Sequence, residues 1–239
     1  EQKRGEKPVL KIDFLAGQVR VTKDDKPLPA PTIVTVTPPD SDGSPTDAGY
    51  ALEFNGKDSY VDLPTLRYDG SHPITLEATI VPYRPEVRGD VIAGRRSIIL
   101  GFSTAVRNPE RAAHGTFQVS VTDGTMSAVR TVETIVANKK LQVIAILEEL
   151  SIRLYVNGKL EERAALPAAC QTAGSPLCIG ASRANATIRG GFFSGLIDEL
   201  RISKIARYDK DFTPKLRLEA DADTLALYLD PIATIGAAE

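Results

Sequence analysis

Ile152-Arg153-Leu154-Tyr155-Val156-Asn157-Gly158-Lys159 is the stretch that decides the fold of this 239-residue chain. Ile152, Leu154 and Val156 alternate with Arg153 and Tyr155, and a period of two puts the apolar row on one face of a strand. Asn157-Gly158 then supplies two residues at ease at positive φ, which a two-residue hairpin turn requires, and Lys159 to Arg163 begins the return. Strand, turn and strand leave no room for a helix here.

The same period recurs on both sides of that hairpin. Ile74, Leu76, Ala78 and Ile80 share one face and Thr75, Glu77 and Thr79 the other, a half-buried antiparallel strand that Pro82 ends because it cannot donate to a ladder. Phe117, Val119 and Val121 repeat the pattern, Thr122-Asp123-Gly124-Thr125 turns, and Met126 to Val132 returns. Leu52 and Phe54 lead through Asn55-Gly56-Lys57-Asp58 to Tyr60-Val61-Asp62-Leu63, which reads as a hairpin or bulged turn. Lys139 to Leu150 is ambiguous. Leu141, Val143, Ala145 and Leu147 alternate, but Glu148-Glu149 offers no turn residue, so a short helix is conceivable. Further strands are expected at 177–181, 195–203 and 222–229. About a dozen short strands with few helices predict an all-β protein, a two-sheet antiparallel β-sandwich or jelly roll.

Two regions follow from the composition along the chain. Residues 1–45 form an N-terminal extension, with strands at 9–14 and 18–21 and a Pro-rich linker from Pro27 to Pro45 in which only Thr32 to Thr37 could pair, as a short edge strand. It is too polar for a core of its own and is expected to pack on the sandwich of residues 46–239. The totals are 42% hydrophobic and 25% charged, with 29 Lys plus Arg against 31 Asp plus Glu. A net charge of -2 gives no overall field toward nucleic acid or anionic lipid. No run approaches the ~20 apolar residues of a membrane span. Glu1-Gln2-Lys3-Arg4 has neither an initiator Met nor an apolar signal core, as expected of a piece of a larger secreted or surface protein.

His72 precedes Pro73 in a turn-like Asp69-Gly70-Ser71 context, and His114 lies far from it in sequence, so neither reads as a catalytic base. Cys170 and Cys178 bracket a short loop without zinc-site or C-x-x-C spacing. A local disulfide is the favoured reading; it would contribute ~2–3 kcal/mol and imply an extracellular, cell-surface or periplasmic location. The alternative is two unrelated buried thiols in a cytosolic protein.

Three segments carry a resemblance through their order: Ala51-Leu52-Glu53-Phe54-Asn55-Gly56-Lys57-Asp58-Ser59-Tyr60-Val61, then the 152–159 hairpin with Leu177-Cys178-Ile179-Gly180-Ala181-Ser182, then Phe193-Ser194-Gly195-Leu196-Ile197-Asp198-Glu199-Leu200-Arg201-Ile202 with Ile205-Ala206-Arg207-Tyr208. Together they resemble the laminin G-like jelly roll of the concanavalin A-like lectin and glucanase superfamily, over residues 51–212. Similar domains commonly carry a Trp where this chain has Thr79, an aromatic or His pair where it has Lys140-Leu141-Gln142, and a carboxylate pair where it has Asp58-Ser59. The resemblance implies a fold shared by lectins, adhesion modules, enzyme-appended binding domains and some glycosidases. It also implies a single structural calcium ion as the only cofactor, with Asp58 and Asp198 as its carry-over ligands; Asp198-Glu199 fits a solvated strand edge equally well.

Sugar binding needs an aromatic platform and polar loop side chains, since a pyranose stacks its apolar face and hydrogen-bonds its hydroxyls. Tyr60, Tyr68, Tyr83, Tyr155 and Tyr208 are the candidate platforms, although a lone Tyr in a sandwich also serves as core or rim. Tyr60 and Tyr83, with Arg84, Arg88, Asn185 and Arg189 as loop partners, make the candidate ligand site. Arg84, Arg88, Arg95, Arg96, Arg107 and Arg111 would form a modest basic patch if they share a face, suited to an acidic glycan or acidic protein surface. Arg88-Gly89-Asp90 and the glycan acceptor Asn185-Ala186-Thr187 are short enough to match by chance. Glycosidase chemistry needs two carboxyl groups across a cleft, and neighbours such as Asp198 and Glu199 point to opposite faces of a strand. The expected function is a non-catalytic, extracellular ligand-binding module, carbohydrate-binding or adhesive. A protein-interaction or structural domain and a degenerate glycoside hydrolase are the alternatives.

Overall fold

The alternation becomes strands and turns, with no helix among the residues that the computed structural model describes: 10–15, 18–23, 26–28, 32–36, 49–63, 66–102, 113–172, 176–183, 189–215 and 217–228. The first strands are β1 (Leu10–Leu15), β2 (Gln18–Lys23), β3 (Lys26–Leu28), β4 (Thr32–Val36), β5 (Gly49–Asn55), β6 (Val61–Leu63), β7 (Ile74–Pro82), β8 (Gly89–Ala93) and β9 (Ile98–Phe102). There follow β10 (Gly115–Ser120), β11 (Met126–Arg130), β12 (Leu141–Glu148), β13 (Ser151–Val156), β14 (Lys159–Ala165), β15 (Leu177–Ile179), β16 (Ser182–Arg183), β17 (Arg189–Gly190), β18 (Ser194–Ser203) and β19 (Thr224–Tyr228).

Two antiparallel sheets take most of them. The larger runs β1-β2-β4-β5-β18-β7-β12-β13-β14, with β3 on β2 and β19 on β18; the smaller runs β11-β10-β9-β8-β15-β6. β5 and β19 lie end to end along β18, against 194–197 and 200–203 respectively. The facing rows close one core, with Phe54, Leu76, Ala78, Ile80, Val143, Ala145 and Leu154 from the large sheet against Val61, Leu63, Ile98, Leu100, Phe117, Val119 and Ile179 from the small one. Glycine is required where the chain leaves β15. At Gly180 φ is +77, and a Cβ would stand 2.2 Å from the Phe54 ring.

The outer face of the large sheet is also covered. Ile144, Ile146 and Tyr155 pack under Ala206, Tyr208 and Phe212, and the Tyr208 and Phe212 rings stack at 3.7 Å. Glu77, wholly buried on that face, accepts hydrogen bonds from Arg201 Nε and Nη2 at 2.5 and 2.8 Å and from the Tyr208 hydroxyl at 2.9 Å. An acid with no access to water is tolerable only with such partners.

Several expectations change. Residues 52–63 are no hairpin, because β5 belongs to the large sheet and β6 to the small one, and the Asn55–Asp58 turn carries the chain across the sandwich. Lys139 to Leu150 is a strand whose two-residue turn is secured by Ser151 Oγ donating to Glu148 Oε2 at 2.8 Å, a side-chain device that stands in for Gly or Asn. Thr32–Val36 is internal, paired with both β2 and β5, so the extension continues the large sheet. No disulfide joins Cys170 and Cys178 in this structure. Both cysteines are free and buried: Cys170 lies at an isolated bridge to Val121, whereas Cys178 sits mid-strand between Asp62 and Ala93.

Candidate functional site

Three loops meet at one rim of the sandwich. The β5–β6 turn is fixed from within: Asn55 Oδ1 accepts the backbone N–H of Lys57 at 2.9 Å and of Asp58 at 3.1 Å, while Asn55 Nδ2 donates to the Asp58 carboxylate at 2.7 Å. The β7–β8 loop is turned by Val87 N–H donating to Arg84 C=O at 3.1 Å and is tied to the sheet by Tyr83 N–H donating to Ser194 C=O at 2.9 Å. The β17–β18 loop is anchored by Phe193, whose buried ring stacks on Phe102 at 6.1 Å and meets Phe54 edge-on at 6.2 Å. Between the loops runs a groove of about 410 Å³, counting its open side. Its wall combines Lys57, Arg84 and Arg88 with Val87 and Phe192, and no carboxylate lines it.

Arg88 is held from below. Asp90 is almost fully buried, and its carboxylate accepts Arg88 Nε at 3.4 Å and Nη2 at 3.1 Å, while Nη2 also reaches Ser182 Oγ at 3.4 Å. Burial pushes the Asp90 carboxyl above its ordinary range and Arg88 opposes that push. Gly191 makes room, since a Cβ there would fall 2.1 Å from Asp90 Oδ2. Arg84 pairs with Glu86 at 3.3 Å on the exposed side.

A second cluster adjoins the groove through Ser182, which pairs with Gly190. Asp62 accepts Arg189 Nη2 at 2.5 Å and both Nε and Nη2 of Arg183, and the Arg189 guanidinium lies 3.9 Å above the Tyr60 ring centroid. The Arg189 guanidinium therefore covers one face of Tyr60, which offers no free stacking face on that side, while Arg189 Nε stays buried without a hydrogen-bond partner.

Of the ligand residues named from sequence, Arg84 and Arg88 line the groove and Tyr83 stands beside it, its hydroxyl donating to Glu53 at 3.2 Å. Asn185, with Asn185-Ala186-Thr187, lies outside the described residues, as do Arg107 and Arg111. Tyr68 and Tyr155 are buried and Tyr208 is stacked on Phe212, so none is a platform. Asn55, Lys57, Phe192 and Asp90 escaped the sequence reading. Asn55-Gly56-Lys57 signalled only a turn there, and nothing marked Asp90 as the anchor of Arg88.

Asp58 and Asp198 do not converge. Asp58 is bonded to Asn55, which pairs with Ser194, and Asp198 lies four residues farther along β18, about 13 Å at the rise of a strand. Asp198 instead meets the Lys140 ammonium at 2.9 Å. Among the described residues no three His, Cys, Asp or Glu side chains gather as metal ligands. These residues do not fit the calcium site that the resemblance implied. His72 and His114 each meet a backbone carbonyl, of Pro73 at 2.6 Å and Thr131 at 2.8 Å.

A laminin G family model, described as the concanavalin A-like lectin/glucanases superfamily, matches residues 55–211. No curated protein matches the sequence. Among solved structures, a putative carbohydrate binding protein from Bacteroides ovatus superposes with a TM-score of 0.59 at 16% identity over 88% of this chain and 59% of that one. The binding domain of Paraclostridial Mosquitocidal Protein 1 gives 0.57 at 11% identity, over 84% of this chain and 49% of that one, so the chain spans about half of that relative. The CBM40 of the Ruminococcus gnavus IT-sialidase bound to alpha2,3 sialyllactose gives 0.53 at 12% identity, over 66% and 91%. At these identities the likeness is one of fold.

Proposed function

Because the chain belongs to the laminin G family of the concanavalin A-like lectin/glucanases superfamily, we propose that it is a non-catalytic carbohydrate-binding module whose ligand site is the rim groove. The observation that carries this reading is the groove itself, an open trough on loops braced by a rigid sheet, in which the apolar Val87 and Phe192 stand beside the polar Asn55, Lys57, Arg84 and Arg88. A sugar presents the matching pair of surfaces, an apolar ring face and a hydroxyl rim. Several structural neighbours are themselves carbohydrate-binding domains, which agrees with this reading.

The candidate carboxylates give no support to hydrolysis. Asp198 is engaged by Lys140, and Glu199 is buried with Oε2 accepting Leu218 N–H at 3.2 Å, so the two do not face a cleft together. The test is affinity electrophoresis against a panel of neutral and acidic polysaccharides. At least one polymer is expected to retard the protein, and Phe192→Ala is expected to weaken that retardation about ten-fold while leaving the melting temperature within a few degrees. Retardation by none of them overturns the proposal.

A further inference from the structure

We propose that the groove is built for an acidic polysaccharide, with a carboxylate or sulfate group of the sugar seated between Lys57 and Arg88; this rests on the glycan-binding reading and specifies its ligand. The groove wall holds three cations and no carboxylate. Two of those cations have anionic partners outside the groove, Arg84 with Glu86 and Arg88 with Asp90. No described residue pairs with the Lys57 ammonium, and the carboxylate of its neighbour Asp58 is held by the Asn55 amide outside the groove lining, so the wall carries an unpaired ammonium on a chain whose net charge is -2. A global field cannot supply the attraction, whereas a local one can.

Geometry adds a second argument. Asp90 and Ser182 occupy the Nε and Nη2 donors of Arg88, yet the side chain stays 49% exposed while the Asp90 side chain is 2% exposed. A buried carboxylate thus grips one edge of the guanidinium and leaves Nη1 for a ligand, which fixes the fork before binding and lowers the entropy lost on association. The backbone of Lys57 is held by Asn55, while its ammonium rides on a flexible stem. One preset fork and one adaptable ammonium beside apolar wall residues suit a charged substituent on a sugar ring.

The experiment compares matched polymers that differ only in charge: polygalacturonate against its methyl ester, and dextran sulfate against dextran, with inorganic sulfate as a competitor. The wild-type protein is expected to bind at least one acidic polymer at least ten-fold more tightly than its neutral match, with binding weakened by added sulfate. Lys57→Ala is expected to cut that preference about ten-fold without loss of folding, and Arg88→Lys, which keeps a cation beside the buried Asp90, is expected to cut it as well, since an ammonium lacks the fork. Equal affinity for the charged and neutral members would overturn the acidic-ligand inference and leave the glycan reading standing. Binding to none of these polymers or of the wider neutral panel would overturn both. Capture by an acidic protein in preference to the polymers would assign the groove to a protein partner and overturn both as well.

Discussion

Glu199 holds a carboxylate where water scarcely reaches. Oε2 accepts the Leu218 N–H, but Oε1 has no hydrogen bond, and Arg217 approaches it only to 3.5 Å. Burial first, then the neighbouring Asp198 charge, push its pKa above the ordinary 4.5. The folded state therefore keeps the proton to higher pH than the unfolded chain does, so ionisation favours the unfolded chain. Its stabilising share is present below the ordinary value and is lost as pH rises through the folded one. Glu199→Gln retains an acceptor for Leu218 and removes the ionisation. Melting curves should show the variant gaining on the wild type as pH rises above the ordinary value of 4.5, and a pH-independent difference would contradict the assignment. Thr79 is in register with both Glu199 and Gln142, whose Oε1 is likewise buried without a partner.

Strands β7 and β18 set Glu77 directly opposite Arg201, and the pair is bonded through two parallel N–H donors. Alternation marks Glu77 correctly as facing away from the inner core, and from that alone it would be solvated. It is instead wholly buried, because the 204–212 segment, more than 120 residues away in sequence, lays Tyr208 and Arg207 over it. A period of two reports the face of a strand and says nothing of what covers that face, so the outer layer was illegible from the sequence. For the same reason the inner core and the Asn157-Gly158 hairpin were legible, being local patterns, whereas the sheet change after β5 was not. The site divides similarly: the arginines stood out by composition, but the anchor of Arg88 depends on a fold that brings Ser182 and Gly191 beside Asp90. Removing one partner of a buried pair leaves the other unpaired, so Glu77→Leu and Arg201→Leu should each cost about 3–5 kcal/mol in urea unfolding. The double variant should cost clearly less than their sum, and additive losses would show that the two groups are not coupled.

At the scale of the whole molecule, stability rests on the apolar core between two sheets, and the two buried thiols stand free rather than joined. Burial pushes Cys170 up to about 11, and burial together with the neighbouring Asp62 charge pushes Cys178 up to about 12, so almost no reactive thiolate exists at neutral pH. Asp58 and Asp198, the two carboxylates that could have clipped the opening strand to the closing one, are engaged by Asn55 and Lys140. A ligand that binds only the folded state raises the melting temperature as its concentration passes its Kd. Melting should therefore be unchanged by chelator, by calcium or by reductant, and a thiol reagent should modify neither cysteine until the chain unfolds, when it should modify both. A rise with calcium would mean that carboxylates other than this pair gather an ion in the folded state. A fall with reductant would mean that Cys170 and Cys178 are joined in solution and that the sandwich depends on that bond.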